Sequence, residues 1–288
     1  MKKKLLDLSG KIETLDIEVF KSITKIADRL LISYFIVGAA ARDLIFGAFD
    51  INAGRATKDL DIGLQAENWD HFSKLKTNLL DTKDFVETAQ QQRLDFQGLL
   101  KIDIVPFGPI AGPDKSISWP DDQSTTMSTI GFEDAFNDAF TGILSDDPDF
   151  NIKIASICGL TIMKMIAWGE KYPEREKDAI DLDFMMRNYI SAGNDERFYE
   201  EGTDIINENT FDYEIASAWF LGRDAGNISN SRTKAVIQKI LTEQTGSQER
   251  YRLVEDMIRS FKFGGGKFEN ALKLLESFKK GYTNPSDK

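Results

Sequence analysis

Residues 34–64 of the chain read YFIVGAAARDLIFGAFDINAGRATKDLDIGL. The first four residues are an apolar run rich in β-formers, and Gly38 follows the run directly. Residues 39–48 then have helical composition, and residues 58–64 alternate charged and apolar side chains. We therefore predict a strand, a glycine turn, a helix and a second strand, in that order.

Two aspartates share one face of the second predicted strand. Because side chains alternate along a strand, Asp59 and Asp61 lie on one side, while Leu60 and Ile62 lie on the other. Asp is uncommon in strands, and two like charges on one face repel each other. The arrangement makes sense if a cation lies between the two carboxylates.

A third carboxylate is available on a later strand. Residues 101–106 read KIDIVP, an alternating pattern in which Asp103 is flanked by isoleucines. Carboxylates on adjacent strands supply the hard oxygen ligands that Mg²⁺ prefers, and phosphates and waters complete the octahedron. We therefore expect Asp59, Asp61 and Asp103 to be catalytic residues and metal ligands.

The order of these features resembles the nucleotidyltransferase superfamily that includes DNA polymerase beta. The signature of that superfamily is a strand, a Gly-Ser or Gly-Gly turn, a helix and Asp-x-Asp, with a third acid on a later strand. Gly38, Asp59, Asp61 and Asp103 match the signature, whereas Ala39 replaces the usual Ser or Gly and removes one hydroxyl contact to phosphate. Backbone N–H groups of the turn and the helix start remain available to hold the phosphates of an NTP.

The turn also resembles a second enzyme class. VGAAARD at residues 37–43 is similar to the VGGxVRD stretch of CCA-adding enzymes, with Gly38 and Arg42 among the matching residues. The resemblance implies nucleotide binding at Gly38, Ala39 and Arg42. Lys58, next to the acids, is either a solvent-exposed loop charge or a contact to substrate phosphates.

A second group of charged residues lies later in the chain. Lys164 interrupts an otherwise apolar helical stretch, and Asp178 and Asp181 share a face of the next predicted helix. Three interpretations of Lys164 are open: its stem snorkels to water, it forms a salt bridge with the two acids, or it binds an anion. Lys177 and Asp181 also have the spacing of a surface ion pair.

These two segments most closely resemble the AbiEii-like nucleotidyltransferases, many of which are toxins of toxin–antitoxin pairs. Those enzymes carry a Lys on one helix and a KDxxD-like segment on the next. The resemblance implies that Lys164 holds the triphosphate, and that Asp178 and Asp181 support Lys164 and the base.

We expect an α+β fold with two domains. A small mixed β-sheet nucleotidyltransferase domain with flanking helices is expected at residues 1–154, and an α-helical domain that completes the nucleotide cleft at residues 155–288. Within the first domain, residues 1–10 are expected to be a frayed lead, residues 107–122 a long loop, and residues 150–154 a last edge strand.

Composition narrows the class of protein. A chain of 288 residues can form two domains, and 41% hydrophobic with 29% charged residues is ordinary for a globular protein. One Cys excludes an internal disulfide framework and suits the reducing cytoplasm. We find no signal peptide and no membrane-spanning stretch in the sequence. The single His argues against a His-centred mechanism. A net charge of -11 disfavours a broad nucleic-acid surface but leaves room for a local basic groove.

The sequence therefore predicts a Mg²⁺-dependent enzyme that transfers a nucleoside monophosphate from an NTP to an acceptor hydroxyl. The expected acceptor is tRNA or a protein, and the expected partner is a cognate antitoxin. Two alternatives stay open. One is a nucleotide- or antitoxin-binding module without catalysis, which Ala39 favours. The other is an antibiotic-type enzyme that modifies a small molecule, with which the acidic net charge is compatible.

Overall fold

The computed structural model describes residues 5–53, 59–120, 122–146, 149–202, 205, 211–246, 251–259 and 267–284. The chain divides into two units, Met1–Ser156 and Ile157–Lys288. We call the first the sheet unit and the second the helical unit. Among the described residues, no helix has the length and apolar composition needed to cross a membrane.

Ten strands are described in the sheet unit. They are β1 (Leu5–Asp7), β2 (Tyr34–Val37), β3 (Asp59–Gln65), β4 (Phe85–Glu87), β5 (Arg93–Phe96), β6 (Leu100–Phe107), β7 (Ser116–Trp119), β8 (Asp122–Ser128), β9 (Phe140–Asp146) and β10 (Asp149–Ile154). Eight of them form a mixed sheet in the order β1-β9-β10-β2-β3-β6-β5-β4, and β7 pairs with β8 separately. The two strands that carry the predicted acids, β3 and β6, are parallel neighbours inside this sheet.

Helices of the sheet unit follow the apolar periodicity of the sequence. The described helices are α1 (Thr14–Leu30), α2 (Gly38–Ala48), α3 (Trp69–Asp81) and α4 (Phe132–Asn137). The apolar positions of α1 recur three and four residues apart and are buried, as expected for a helix that packs one face on a core. The start of α3 is fixed by Asn68, whose side chain accepts a hydrogen bond from the backbone N–H of His71.

Strand β2 lies inside the mixed sheet, between β10 and β3. All four of its residues are buried, which explains the continuous apolar run in the sequence. The ring of Phe35 packs edge-on against Phe107 and Phe136, with centroid distances of 5.4 Å in both pairs. This packing fixes the position of β2, and therefore of Gly38, the residue that follows it.

The helical unit contains seven helices in the part of the chain that the structure describes. They are α5 (Ile157–Glu170), α6 (Glu176–Asn188), α7 (Asp195–Glu201), α8 (Tyr213–Ile228), α9 (Ser231–Thr245), α10 (Arg252–Met257) and α11 (Lys267–Thr283). Side chains mark where two of them begin, because Asp212 caps α8 and Asn230 caps α9 through backbone N–H groups of the first turn. The α+β class predicted from the sequence is confirmed.

Helices α8 and α11 approach each other closely at glycines. A Cβ atom on Gly222 would lie 2.1 Å from the carbonyl oxygen of Phe278, and a Cβ atom on Gly281 would lie 2.1 Å from that of Trp219. Any larger residue would collide with the backbone of the opposite helix. We call this contact, formed by Gly222, Trp219, Phe278 and Gly281, the glycine seam.

The structure corrects two expectations about the sheet edge. Residues 5–7 are not a frayed lead, because they pair in parallel with β9. Residues 150–154 are not an edge strand, because β10 lies between β9 and β2. Both differences arise because residues 140–146 form β9, a strand that was not predicted from the sequence. It pairs with β10 on the side away from β2.

The expected long loop at residues 107–122 also contains regular structure. Residues 116–119 form β7, which pairs with β8. Ile117 and Trp119 are buried and alternate with two half-buried serines, so the segment does carry a strand pattern. Prolines and glycines before and after this short alternation obscured it in the sequence.

Candidate active site: a carboxylate face on the sheet

The glycine turn after β2 determines where Asp61 can lie. Gly38 has a backbone φ of +68°, in the left-handed region, and α2 begins at this residue. A Cβ atom at position 38 would lie 2.0 Å from Oδ2 of Asp61. Glycine therefore permits the turn and leaves room for the Asp61 carboxylate beside the N-terminus of α2, the positive end of the helix dipole.

The three predicted acids lie on one face of two neighbouring strands. Asp61 on β3 is the direct Cα partner of Asp103 on β6, and Asp59 is two residues before Asp61 on the same strand. Asp59 is exposed, and Asp61 and Asp103 are half-buried. The residues that alternate with them, Leu60 and Ile102, are buried. Strand pairing thus places all three carboxylates on the same side of the sheet.

Arg93 on β5 binds the third acid with both arms of its guanidinium group. Its Nε donates to Oδ1 of Asp103 at 2.8 Å, and its Nη2 donates to Oδ2 at 2.6 Å. These hydrogen bonds raise the pKa of Arg93 above its ordinary value, and the charges of Asp59 and Asp61 add to the effect against the opposing effect of burial. A permanent positive charge therefore lies beside the three carboxylates.

Asp61, Asp103 and Arg93 form one row across the three neighbouring strands, and a second row of charged residues lies beside it. Lys101 is the Cα partner of Asp59 on one side and of Asp95 on the other, and its Nζ is hydrogen-bonded to Asp95. The hydrogen bond from Lys101 lowers the pKa of Asp95. We call the six residues of the two rows the carboxylate face: Asp59, Lys101 and Asp95 in one row, and Asp61, Asp103 and Arg93 in the other.

The donor chemistry of the carboxylate face suits Mg²⁺, which takes carboxylate oxygens as ligands. Asp59, Asp61 and Asp103 supply only such oxygens. In the described residues, however, no group of three or more His, Cys, Asp or Glu side chains is arranged to hold a metal ion. Both oxygens of Asp103 are hydrogen-bonded to Arg93. The residues therefore fit the ion in type and strand register, and Asp103 is the ligand that would have to share its oxygens.

The other residues expected to bind nucleotide near the turn have different environments. Ala39 is half-buried in the first turn of α2. Arg42 is only 2% exposed, and its Nε and Nη2 donate to Oδ1 of Asp43 at 2.8 and 2.6 Å. Lys58 lies outside the described residues. Contacts of Ala39, Arg42 and Lys58 with nucleotide stay predictions.

In the helical unit, Lys164 is buried between two carboxylates. It is 7% exposed, and its Nζ lies 3.0 Å from Oδ1 of Asp178 and 2.7 Å from Oδ2 of Asp181. Arg175 binds the other oxygen of Asp178 at 2.6 Å. The snorkelling interpretation is therefore wrong. The surface-pair interpretation of Lys177 with Asp181 is wrong as well, because Asp181 is buried and pairs with Lys164.

Arg93 and Lys101 were not predicted from the sequence. Lys101 lies two residues before Asp103, so the alternation of KIDIVP already placed the two on one face. Arg93 had no comparable signal, because its importance depends on β5 pairing with β6 in one register. The alternation of charged and apolar residues in RLDF, residues 93–96, was the only local indication of a strand.

Comparisons with known proteins give matches among solved structures. No protein-family model and no curated protein matches the chain. An antigenic nucleotidyltransferase-like protein from Paracoccidioides brasiliensis is similar over 68% of this chain and 91% of its own, with 16% identity and a TM-score of 0.39. The antibiotic-resistance factor ANT(2'')-Ia is similar over 68% of this chain and 100% of its own, with 12% identity and a TM-score of 0.35. A CCA-adding enzyme is similar over 98% of this chain and 70% of its own, with 15% identity and a TM-score of 0.34.

Proposed function

We propose that the chain is a Mg²⁺-dependent nucleotidyltransferase that moves a nucleoside monophosphate from an NTP to an acceptor hydroxyl. The observation that carries the proposal is the position of Asp61. Its carboxylate lies against Gly38 at the start of α2, and its strand neighbour is Asp103. A helix N-terminus, which favours phosphate, and a row of carboxylates, which favours a divalent cation, therefore meet at one residue.

The start of α2 is the proposed phosphate site. The first N–H groups of a helix have no partner within the helix, so they are available to an anion. Gly38 and Ala39 present such groups without a bulky side chain. Asp59, Asp61 and Asp103 would hold Mg²⁺, which when bound neutralises phosphate charge.

The remaining chemistry falls to Asp103 and Arg93. In the transfer, the acceptor oxygen forms a bond to the α-phosphorus, the bond from this phosphorus to the bridging oxygen breaks, and pyrophosphate leaves with the electron pair. The hydroxyl proton passes to the carboxylate of Asp103. Each oxygen of Asp103 accepts one hydrogen bond from Arg93 and keeps a second lone pair, which can take the proton while Arg93 holds the carboxylate in place.

The acceptor and the partner follow from the resemblance to the AbiEii-like enzymes. We propose tRNA or a protein as acceptor, and a cognate antitoxin as the partner that controls the enzyme. An antibiotic-type small-molecule acceptor is the alternative within the same reaction class, and the net charge of -11 would favour a cationic one.

A nucleotide-binding module without catalysis is the second candidate. Two observations favour it: Ala39 offers phosphate no hydroxyl, and Asp103 already has both oxygens hydrogen-bonded to Arg93. Such a module would bind NTP at the start of α2 and would transfer nothing.

The decisive experiment compares binding with transfer in Asp59→Ala and Asp61→Ala. We expect both variants to fold, to lose Mg²⁺-dependent NTP binding in calorimetry, and to transfer no α-phosphate label to total tRNA, total protein or small-molecule pools. Asp70→Ala is the control, because Asp70 is an exposed acid on α3. Wild-type binding of MgNTP by both site variants would refute the metal assignment. Binding by the wild type without transfer to any pool would favour the module.

A further inference from the structure

Arg93 is placed by the sheet itself to act on Asp103. The two residues are Cα partners on the antiparallel strands β5 and β6, so their side chains leave the same face side by side. The guanidinium group forms two hydrogen bonds to the carboxylate, an arrangement that fixes both the position and the plane of the acid. The side chains of Arg93 and Asp103 are 29% and 17% exposed, so solvent screens the pair only in part.

The charge of Arg93 also reaches the neighbouring acids. Asp61 follows Asp103 in the same row of the carboxylate face, and both Asp59 and Asp61 stabilise the charged guanidinium. A divalent cation bound to Asp59 and Asp61 would be repelled by this positive charge. Its third ligand, Asp103, already accepts a hydrogen bond from Arg93 at each oxygen. The guanidinium therefore opposes the cation by repulsion and by competition for Asp103.

We propose that Arg93 is a positioning residue that holds Asp103 in register with Asp61 and keeps the affinity of the carboxylate face for a free divalent cation low. The inference rests on the proposed function, because it concerns the same metal ligands. An NTP brings negative charge that offsets the guanidinium, so the penalty is smaller when cation and triphosphate bind together. Arg93 thereby couples cation binding to nucleotide binding.

The test measures Mn²⁺ binding by water-proton relaxation, without nucleotide and with the α,β-methylene analogue of ATP. Arg93→Met removes the charge and keeps most of the stem. We expect this variant to bind Mn²⁺ alone more tightly, on the order of tenfold, because one nearby positive charge is lost. With the analogue present, the gain should be smaller. Lys74→Met is the matched control, since it removes one positive charge from an exposed pair on α3.

A second variant separates charge from position. Arg93→Lys keeps the charge without the two-armed contact, so we expect a Mn²⁺ affinity between those of the wild type and Arg93→Met, together with a lower kcat at an unchanged KM for NTP. It also serves if Arg93→Met fails to fold. Equal Mn²⁺ affinity of the wild type and Arg93→Met would overturn the inference. Unchanged Mn²⁺ binding by Asp61→Ala would instead overturn the metal assignment of the proposed function, and the inference with it.

Discussion

At the scale of single residues, Asp103 is subject to two opposing demands. In the proposed function it accepts a proton, and in the structure each of its oxygens already accepts a hydrogen bond from Arg93. Asp103→Asn keeps the shape of the side chain and removes the charge. We expect NTP affinity to change only a few-fold, while transfer falls by a factor on the order of 10² or more, the usual scale for a general base or metal ligand. Single-turnover transfer and calorimetry on the same preparation measure both. Equal losses would place Asp103 in the phosphate site instead.

Lys164 offers a second test at the same scale. In Lys164→Met, the carboxylates of Asp178 and Asp181 would remain buried without the cation between them. We expect the free energy of unfolding to fall by about 3–5 kcal/mol, because two buried carboxylates lose the ammonium group that they share, although Arg175 still binds Asp178. Urea unfolding measures the loss, and Asp178→Asn in the same chain should restore part of it.

NTP affinity then tests the phosphate role that the resemblance implies for Lys164. A folded Lys164→Met variant should bind NTP more weakly by ~1.5–3 kcal/mol if the ammonium serves phosphate, the scale of a hydrogen bond to a charged group. Nucleoside binding should hardly change. An unchanged NTP affinity would leave Lys164 with a purely structural role.

The acids of the candidate site could be predicted from the sequence, whereas Arg93, which binds one of them, could not. Gly38, Asp59, Asp61 and Asp103 stand in local patterns, a turn and two alternations, which a single strand displays by itself. Arg93 becomes part of the site only through the pairing of β5 with β6. Such pairing is a property of two strands, so no pattern within one of them could have shown it.

At the scale of elements, the strands that were predicted have a strong local pattern, whereas those that were not predicted depend on pairing with a distant strand. The β2–α2–β3 segment is long and strongly patterned, and the predicted bounds of its elements differ from the observed ones by one residue at most. The short strand β1 exists only because Leu5 and Leu6 pair with Thr141 and Gly142. Three residues cannot carry a periodic signal, and their partner strand contains a glycine, which disfavours strands.

The glycine seam gives an element-scale prediction. Gly222→Ala adds a Cβ atom that would lie 2.1 Å from the carbonyl oxygen of Phe278, so α8 and α11 must move apart. We expect a loss of about 1–3 kcal/mol in unfolding free energy from overpacking, in spite of the better helix propensity of Ala. Gly47→Ala in α2 is the control, since a Cβ there meets nothing within 4 Å. Equal melting temperatures of the two variants would show that the helices separate at no cost.

At the scale of the whole molecule, buried tyrosines should limit stability at high pH. Burial raises the pKa of Tyr34 to about 12, more than the hydrogen bond with Thr24 lowers it, and burial raises the pKa of Tyr189 as well. An unfolded tyrosine titrates near pH 10. The folded chain therefore binds these protons more tightly, and its stability is complete below about pH 10 and falls between roughly pH 10 and 12.

Tyr34→Phe tests this expectation. The variant lacks the buried hydroxyl, so its stability should fall less between pH 9 and pH 11.5, by about 2 kcal/mol. Urea unfolding at the two pH values measures the difference. Tyr199→Phe is the control, because that residue is 62% exposed. A parallel decline of the wild type and Tyr34→Phe would mean that other groups set the alkaline limit.

The α+β class could be predicted from the sequence because strand-like segments occur among helical ones before residue 155, and only helical segments follow. The order of strands could not, since it depends on contacts between residues more than one hundred positions apart, such as Leu5 with Thr141. The order of patterned segments therefore indicates the fold class, and long-range strand pairing determines the topology.

The glycine seam also bears on how fast the helical unit folds and unfolds. Gly222 and Phe278 meet across more than fifty residues of chain, so their contact carries a large entropic cost of loop closure. We expect the seam to close after the rate-limiting step, which would make its contacts weak in the folding transition state. Alanine at position 222 should then accelerate unfolding and leave the refolding rate nearly unchanged in stopped-flow measurements. The two glycines would then govern the lifetime of the folded unit, while other contacts govern the speed at which it forms.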